Sequence, residues 1–219
     1  IFEIDSNKYL NSIDEDGSID LDKGELIFFI NNNELVGYIA NSNIVASDNT
    51  KKPDMDIEKD SYVMTDEDFE DITDLDWEKM LQVNLQGPFI CSQEVLPGMV
   101  KNQWGRIINI SSIGGQWGGF NQVHYAASKA GLINFTQSLA KIYSRSGVTT
   151  NAVAIGLAKT DMSNIELDSK AGKEKVKNIP IGRVSSIEEI ANTVKFLCSE
   201  EASYITGQTI NLNGGMFFG

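Results

Sequence analysis

Some of the chemistry that this sequence has little of narrows its function at the outset. Among 219 residues there are two cysteines and one histidine. Cys91 and Cys198 sit in apolar, helix-like contexts without metal-ligand spacing, which suits buried thiols in a reducing compartment. Neither reads as a nucleophile, and no metal is expected. No apolar run approaches the ~20 residues of a membrane span, and no signal peptide is evident. The expectation is a cytoplasmic chain without membrane contact. Nor is there the basic footprint that nucleic-acid binding requires. The start at Ile1 rather than Met gives the expectation of a fragment or a processed chain.

What is present divides unevenly. Residues 1–80 carry six basic and 22 acidic side chains, and residues 81–219 carry twelve and nine, so the formal net charge of −13 is regional. Within the acidic third, Ser12-Ile-Asp-Glu-Asp-Gly-Ser-Ile-Asp-Leu-Asp-Lys23 has Asp14, Asp16 and Gly17 at calcium-loop positions. It has Ser12 at position 1 and Lys23 where a bidentate glutamate is required, so it reads as an acidic surface turn. Glu25-Leu-Ile-Phe-Phe-Ile30 and Glu34-Leu-Val-Gly-Tyr-Ile-Ala40 flank Asn31-Asn-Asn33, the pattern of a β-hairpin. Residues 43–65 read as a solvated loop. A near-repeat follows, Thr65-Asp-Glu-Asp-Phe-Glu70 and Thr73-Asp-Leu-Asp-Trp-Glu78, each copy resembling a capped helix start.

Beyond residue 80 the elements alternate. Arg106-Ile-Ile-Asn-Ile-Ser111 reads as a buried strand, and His124 to Tyr143 as a helix whose stripe of Leu132, Phe135, Leu139 and Ile142 faces a sheet. Gly147 ends it and Val148 to Ala154 makes the next strand. Overlapping capping boxes at Ser185 and Ser186 open a helix with Ile187, Ile190, Ala191, Val194 and Leu197 inward. Gln208 to Leu212 is the last strand. Such alternation predicts an α/β fold: a three-layer, Rossmann-like parallel sheet with an atypical or incomplete N-terminal part.

The chemical signature is a spacing. Ser112 ends the first buried strand, Tyr125 lies thirteen residues on, and Lys129 follows at i+4 on the same helical face. An unperturbed phenol, with a pKa of about 10, is a poor acid and base at neutral pH. An adjacent ammonium stabilises its anion and brings it toward the working range. Ser112 could hydrogen-bond the same carbonyl oxygen. The only histidine, His124, reads as a pocket wall or a titrating group. Trp77 and Trp104 read as packing residues, and Trp117 as the tryptophan suited to a pocket.

These residues resemble the short-chain dehydrogenase/reductase family. Its Asn-Ser-Tyr-Lys set falls on Asn84, in Val83-Asn-Leu-Gln-Gly87, and on Ser112, Tyr125 and Lys129. Asn151-Ala-Val-Ala-Ile-Gly156 followed by Thr160-Asp-Met162 is similar to the family's loop over a nicotinamide, with Ile155 where the family has proline. The ending Tyr204-Ile-Thr-Gly-Gln-Thr-Ile-Asn-Leu-Asn-Gly-Gly-Met216 is similar to that of 3-oxoacyl-acyl-carrier-protein reductases. The resemblance implies a catalytic part over residues 66–219, preceded by an atypical acidic segment, 1–65.

It also implies an NADP- or NAD-dependent carbonyl reductase or alcohol dehydrogenase acting on a 3-oxoacyl thioester or a small ketone. In that scheme Tyr125 protonates the substrate oxygen, Ser112 holds it, and Lys129 tunes the tyrosine and binds the cofactor ribose. Asn84 orders a water that relays protons to Lys129. Gly156, Ala158 and Thr160 would contact the nicotinamide. Asn41 would lie near the cofactor if Leu35 to Ile44 is the family's fourth strand. Acyl carrier protein is a possible partner, met by a weakened patch in which Gln103 and Arg145 stand where similar reductases have basic residues at the pocket mouth. The family's assembly implies a dimer or tetramer.

One departure is large. The family opens with a Thr-Gly-x-x-x-Gly-x-Gly turn that brings backbone amides to a pyrophosphate at a helix N-terminus, and no such motif is present. Gly114-Gly-Gln-Trp-Gly-Gly119 is not a Walker loop, because Phe120 stands where lysine is needed; it reads as a flexible segment beside the active site. The alternative is therefore a cofactor-less relative serving as a binding or assembly subunit.

Overall fold

The computed structural model describes residues 26–31, 34–40, 43–44, 68–119, 121–159 and 167–219, the first three segments as backbone. The acidic turn at 12–23, Asn41, Thr160 and all of 45–65 lie outside the described residues.

Six strands form one sheet in the order β3-β2-β1-β4-β5-β6. The strands are β1 (Leu26–Asn31), β2 (Glu34–Ala40), β3 (Asn43–Ile44), β4 (Gly105–Ser112), β5 (Val148–Ile155) and β6 (Thr209–Leu212). The expected parallel core is β4-β5-β6, with Gly105 opposite Val148, Ser112 opposite Ile155, and Ile155 opposite Leu212. The expected hairpin is also present: β1 and β2 run antiparallel from Leu26↔Ala40 to Asn31↔Glu34.

β1 pairs with β4, again antiparallel, at Phe29↔Ile107 and Ile30↔Arg106. Leu35 to Ile44 therefore does not act as a parallel fourth strand beside β4, and the loop expected from Asn43 begins with the short strand β3. The described sheet is mixed, because β1 and β2 are only two residues apart in the chain and so can pair only antiparallel.

Both faces of the parallel core are covered. On one side Ile107 and Val148 pack with Cys91, Leu96 and Met99 of α2 (Gly87–Asn102) and Leu139 of α4 (Val123–Tyr143). On the other, Ile108 and Val153 pack with Val194, Leu197 and Cys198 of α6 (Ile187–Cys198), the helix that follows α5 (Lys170–Lys177) in the chain. Neighbouring Ile107 and Ile108 serve opposite layers because a strand alternates its side chains. β4 and β5 are buried almost throughout, and the side-chain amides of their two asparagines donate to partners in neighbouring elements. Asn109 Nδ2 donates to Thr136 Oγ1 at 2.8 Å, and Asn151 Nδ2 donates to the Ile205 carbonyl at 2.8 Å.

Local signals decide the helix ends. Thr73 caps α1 (Asp74–Leu81) in a capping box with Asp76, so the second copy of the near-repeat is a helix start. The first copy yields a short 3-10 turn, Phe69–Asp71. Of the two overlapping boxes before α6, the structure uses Ser186 with Glu189. Two stripe assignments change. Ile142 is 64% exposed, and buried Thr136 and Ala140 continue the inner face of α4 instead. Ala191 is exposed on α6. No helix among the described residues is long and apolar enough to cross a membrane.

Candidate active site

The carboxyl edge of β4 and β5 and the first turns of α4 build the site. Ser111 Oγ donates to the Lys129 carbonyl at 3.1 Å, and Lys129 Nζ donates to the Ile110 carbonyl at 3.0 Å. Two reciprocal bonds thus fasten the second turn of α4 to the last residues of β4. Lys129 is wholly buried, and its ammonium lies 5.5 Å from the centre of the Tyr125 ring. The i,i+4 relation expected of a helix is realised.

Ser112 and Tyr125 both approach the start of α3 (Gly114–Trp117). A β-carbon placed on Gly114 would stand 3.5 Å from Ser112 Oγ and 3.9 Å from Tyr125 Cε1, so both side chains border the same small space. The Gly114 amide also donates to Ser112 Oγ at 3.1 Å. The glycine-rich stretch expected to be flexible begins with this one-turn helix. Gly115 explains its docking: a β-carbon there would fall 2.7 Å from the Lys129 carbonyl carbon. The close approach of α3 to α4 requires glycine.

Asn84 joins the group from a different element. It lies in a π-helical turn, Gln82–Gln86, between α1 and α2, the kind of helix irregularity that often accompanies functional sites. Its Nδ2 donates to Ser128 Oγ at 3.0 Å, and Ser128 Oγ donates onward to the Tyr125 carbonyl at 2.7 Å. Ser128 was missed in the sequence. Its position, three residues after Tyr125 on a helix, was the available signal.

Gly156 and Ala158 occupy the same edge. The Gly156 amide donates to the Leu212 carbonyl at 3.0 Å, and a β-carbon on Gly156 would meet the Asn213 α-carbon at 2.9 Å. This glycine admits the chain's final turn. Ala158 forms a parallel bridge with Ser185. His124 is buried at 1% exposure beside Tyr125 in sequence. Gln103 and Arg145 are not at this edge. They precede β4 and β5 and lie at the sheet's amino end, where Gly105 pairs with Val148.

The comparisons with known proteins fit this arrangement. A family model described as enoyl-(acyl carrier protein) reductase matches residues 46–217. The chain belongs to the short-chain dehydrogenase/reductase family. It is 52% identical over 143 residues to a 3-oxoacyl-[acyl-carrier-protein] reductase of Aquifex aeolicus, covering 65% of this chain and 57% of the relative. The corresponding Escherichia coli protein is 44% identical over 145 residues, 66% of this chain and 59% of the relative. The chain thus spans less than two thirds of these proteins. A Burkholderia cenocepacia gluconate 5-dehydrogenase solved with NADP and tartrate superposes with a TM-score of 0.65 at 28% identity, over 68% of this chain and 59% of that one.

A nicotinamide cofactor fits the described residues in one half. A lysine ammonium has three N–H donors, suited to the hydroxyls of a ribose, and Lys129 stands at the strand ends with Gly156 and Ala158. For the pyrophosphate the fit fails among the described residues. The strand beside β4, β1, is antiparallel and runs away from this edge, and β2, which returns toward it, is followed by the antiparallel strand β3 rather than by a helix whose N-terminus could face a phosphate.

Proposed function

We propose that residues 66–219 form the catalytic part of a carbonyl reductase or alcohol dehydrogenase that uses Ser112, Tyr125 and Lys129 on a 3-oxoacyl thioester or a small ketone. The observation that carries this reading is that Ser112 and Tyr125 border the same space beside Gly114, with the buried Lys129 ammonium 5.5 Å from the centre of the tyrosine ring. A nicotinamide, NADP or NAD, would supply the hydride when bound.

This chain's own residues handle the oxygen. Ser112 holds the carbonyl in reach of the tyrosine, and the Tyr125 hydroxyl gives its proton to the forming alkoxide. The ammonium of Lys129 favours the phenolate left behind. Asn84 steadies the first turn of α4 through Ser128, with a role in ordering a relay water as the family resemblance implies. Gly156 and Ala158 are the proposed walls of the nicotinamide site. Acyl carrier protein is the candidate macromolecular partner, in line with the names of the relatives.

The assay is reduction of a 3-oxoacyl thioester and of a small ketone, followed as NADPH or NADH consumption. Tyr125→Phe should lower turnover by about 10²–10⁴-fold, the range for loss of a general acid. Turnover within threefold of the parent would remove the tyrosine from the chemistry.

The antiparallel hairpin favours a second reading, in which cofactor binds weakly and the chain serves as a binding or assembly subunit. The acidic first third would repel a pyrophosphate. Calorimetry with NADH and NADPH separates the readings: low-micromolar binding supports the reductase and counts against the second.

A further inference from the structure

The chain's last residues return to the site. Asn213, 7% exposed, ties the terminal turn together: its Nδ2 donates to the Phe217 carbonyl at 3.1 Å, and its Oδ1 accepts from the Gly215 amide at 3.0 Å. The Met216 amide donates to the Asn213 carbonyl at 3.2 Å. Gly214 and Gly215, at φ 62° and 89°, allow a reversal that most side chains resist. Gly156 leaves room for this turn against β5, with Met216 Sδ at 3.3 Å from its would-be β-carbon.

The turn delivers Phe217 edge-on to Trp117, with ring centres 6.1 Å apart and planes at 80°. Trp117 ends the same one-turn helix whose first residue, Gly114, borders Ser112 and Tyr125. Three residues of helix, about 4.5 Å of rise, separate them. Trp117 nevertheless stays 52% exposed. A tryptophan held in place by a clamped turn, half uncovered, one helical turn from the reacting groups, is a preorganised apolar surface.

We infer that Trp117 and Phe217 together form the apolar wall of the substrate site and take the hydrocarbon part of a 3-oxoacyl thioester whose carbonyl lies between Ser112 and Tyr125. This rests on the reductase reading above. It assigns the C-terminal turn a part in substrate selection, and it predicts a preference that grows with chain length, because each methylene laid on the wall leaves water.

Two measurements keep the inference separate from the reading it rests on. In the 219-residue chain carrying Trp77→Phe and Trp104→Phe, Trp117 is the sole tryptophan, and octanoyl-pantetheine should quench or blue-shift its fluorescence. Phe217→Ala in that background should weaken the response about tenfold, the worth of one to two methylenes of burial. In the assay with NADPH, Trp117→Ala should raise KM for a 3-oxooctanoyl thioester about tenfold and leave that for 3-oxobutanoyl within twofold. Phe218→Ala, a residue 85% exposed, should change neither. A fluorescence response without turnover would retain the wall while the reductase reading fails. Turnover with an unchanged chain-length profile in both Trp117→Ala and Phe217→Ala, or no fluorescence response, would overturn the wall itself.

Discussion

The Asn84 side-chain amide donates to the Ser128 hydroxyl at 3.0 Å, joining a π-helical turn to the helix that carries Tyr125 and Lys129. Ser128 passes the contact on to the Tyr125 carbonyl. The other acceptor of the Asn84 amide is Met80 Sδ, and a thioether is a weak one. Ser128→Ala should therefore leave a buried amide poorly satisfied and cost about 1–3 kcal/mol. A urea unfolding curve reads this as a lowered midpoint at constant slope; an unshifted midpoint would show that the bond contributes nothing.

Two glycines should respond oppositely to alanine. At Gly115 the new methyl meets the Lys129 backbone at 2.7 Å, so α3 must move away from α4 and carry the Gly114 amide off Ser112. The expected cost is about 1–3 kcal/mol with a fall in any reductase activity. At Gly98, within α2, a β-carbon meets nothing within 4 Å. Gly98→Ala should stabilise by roughly 0.5–1 kcal/mol through helix propensity. Thermal melts of the pair check both signs.

Glu189 sets a pH dependence. Hydrogen bonds from Arg183, and then from the Ser186 amide, hold its carboxyl down at about 2, below the ordinary 4.5. Between those values the folded chain binds fewer protons than the unfolded one, so this contribution to stability is present above the ordinary value and is lost as pH falls toward 2. Glu189→Gln should lower Tm at pH 7 and flatten its decline between pH 5 and pH 3. An equally steep decline in the variant would assign it to other carboxylates.

The two thiols should be inert in the native state. Burial pushes Cys91 and Cys198 up to about 11, so little thiolate forms at pH 8. Labelling by a disulfide reagent should be slow in buffer and fast for both in denaturant. Prompt native labelling of either would mean that its helix opens readily.

An open groove of about 830 Å³ runs between α1, the π-helical turn and α4, lined by Trp77, Leu85, Phe89 and Phe135 among others. Phe89 is 43% exposed, edge-on to Phe135 at 6.4 Å. A surface of this kind suits association of chains, and the expected state is a dimer or tetramer. Light scattering at micromolar concentration should give a mass of two or four chains, shifted toward monomer by Phe89→Arg. A monodisperse parent monomer would defeat this expectation.

Local chemistry made much of the protein legible from its sequence. Short runs without alternation announce β4 and β5, and helical patterning announces α4 and α6, because strands buried on both faces and amphipathic helices leave different patterns in the sequence. Tyr125 and Lys129 could be paired on paper since one helix carries both. The hairpin was likewise local, two apolar runs across a short polar turn. Tertiary packing decided what depends on residues distant in the chain. Asn84 reaches Ser128 across 44 positions, Gly156 makes room for Asn213, and the final turn carries Phe217 to Trp117. Tertiary packing also set β1 antiparallel against β4, and put Gln103 and Arg145 at the amino edge of the sheet, far from Ser112. Propensity and spacing act over a few residues, whereas which strand borders which, and which side chains then meet, follows from burying all the apolar faces at once.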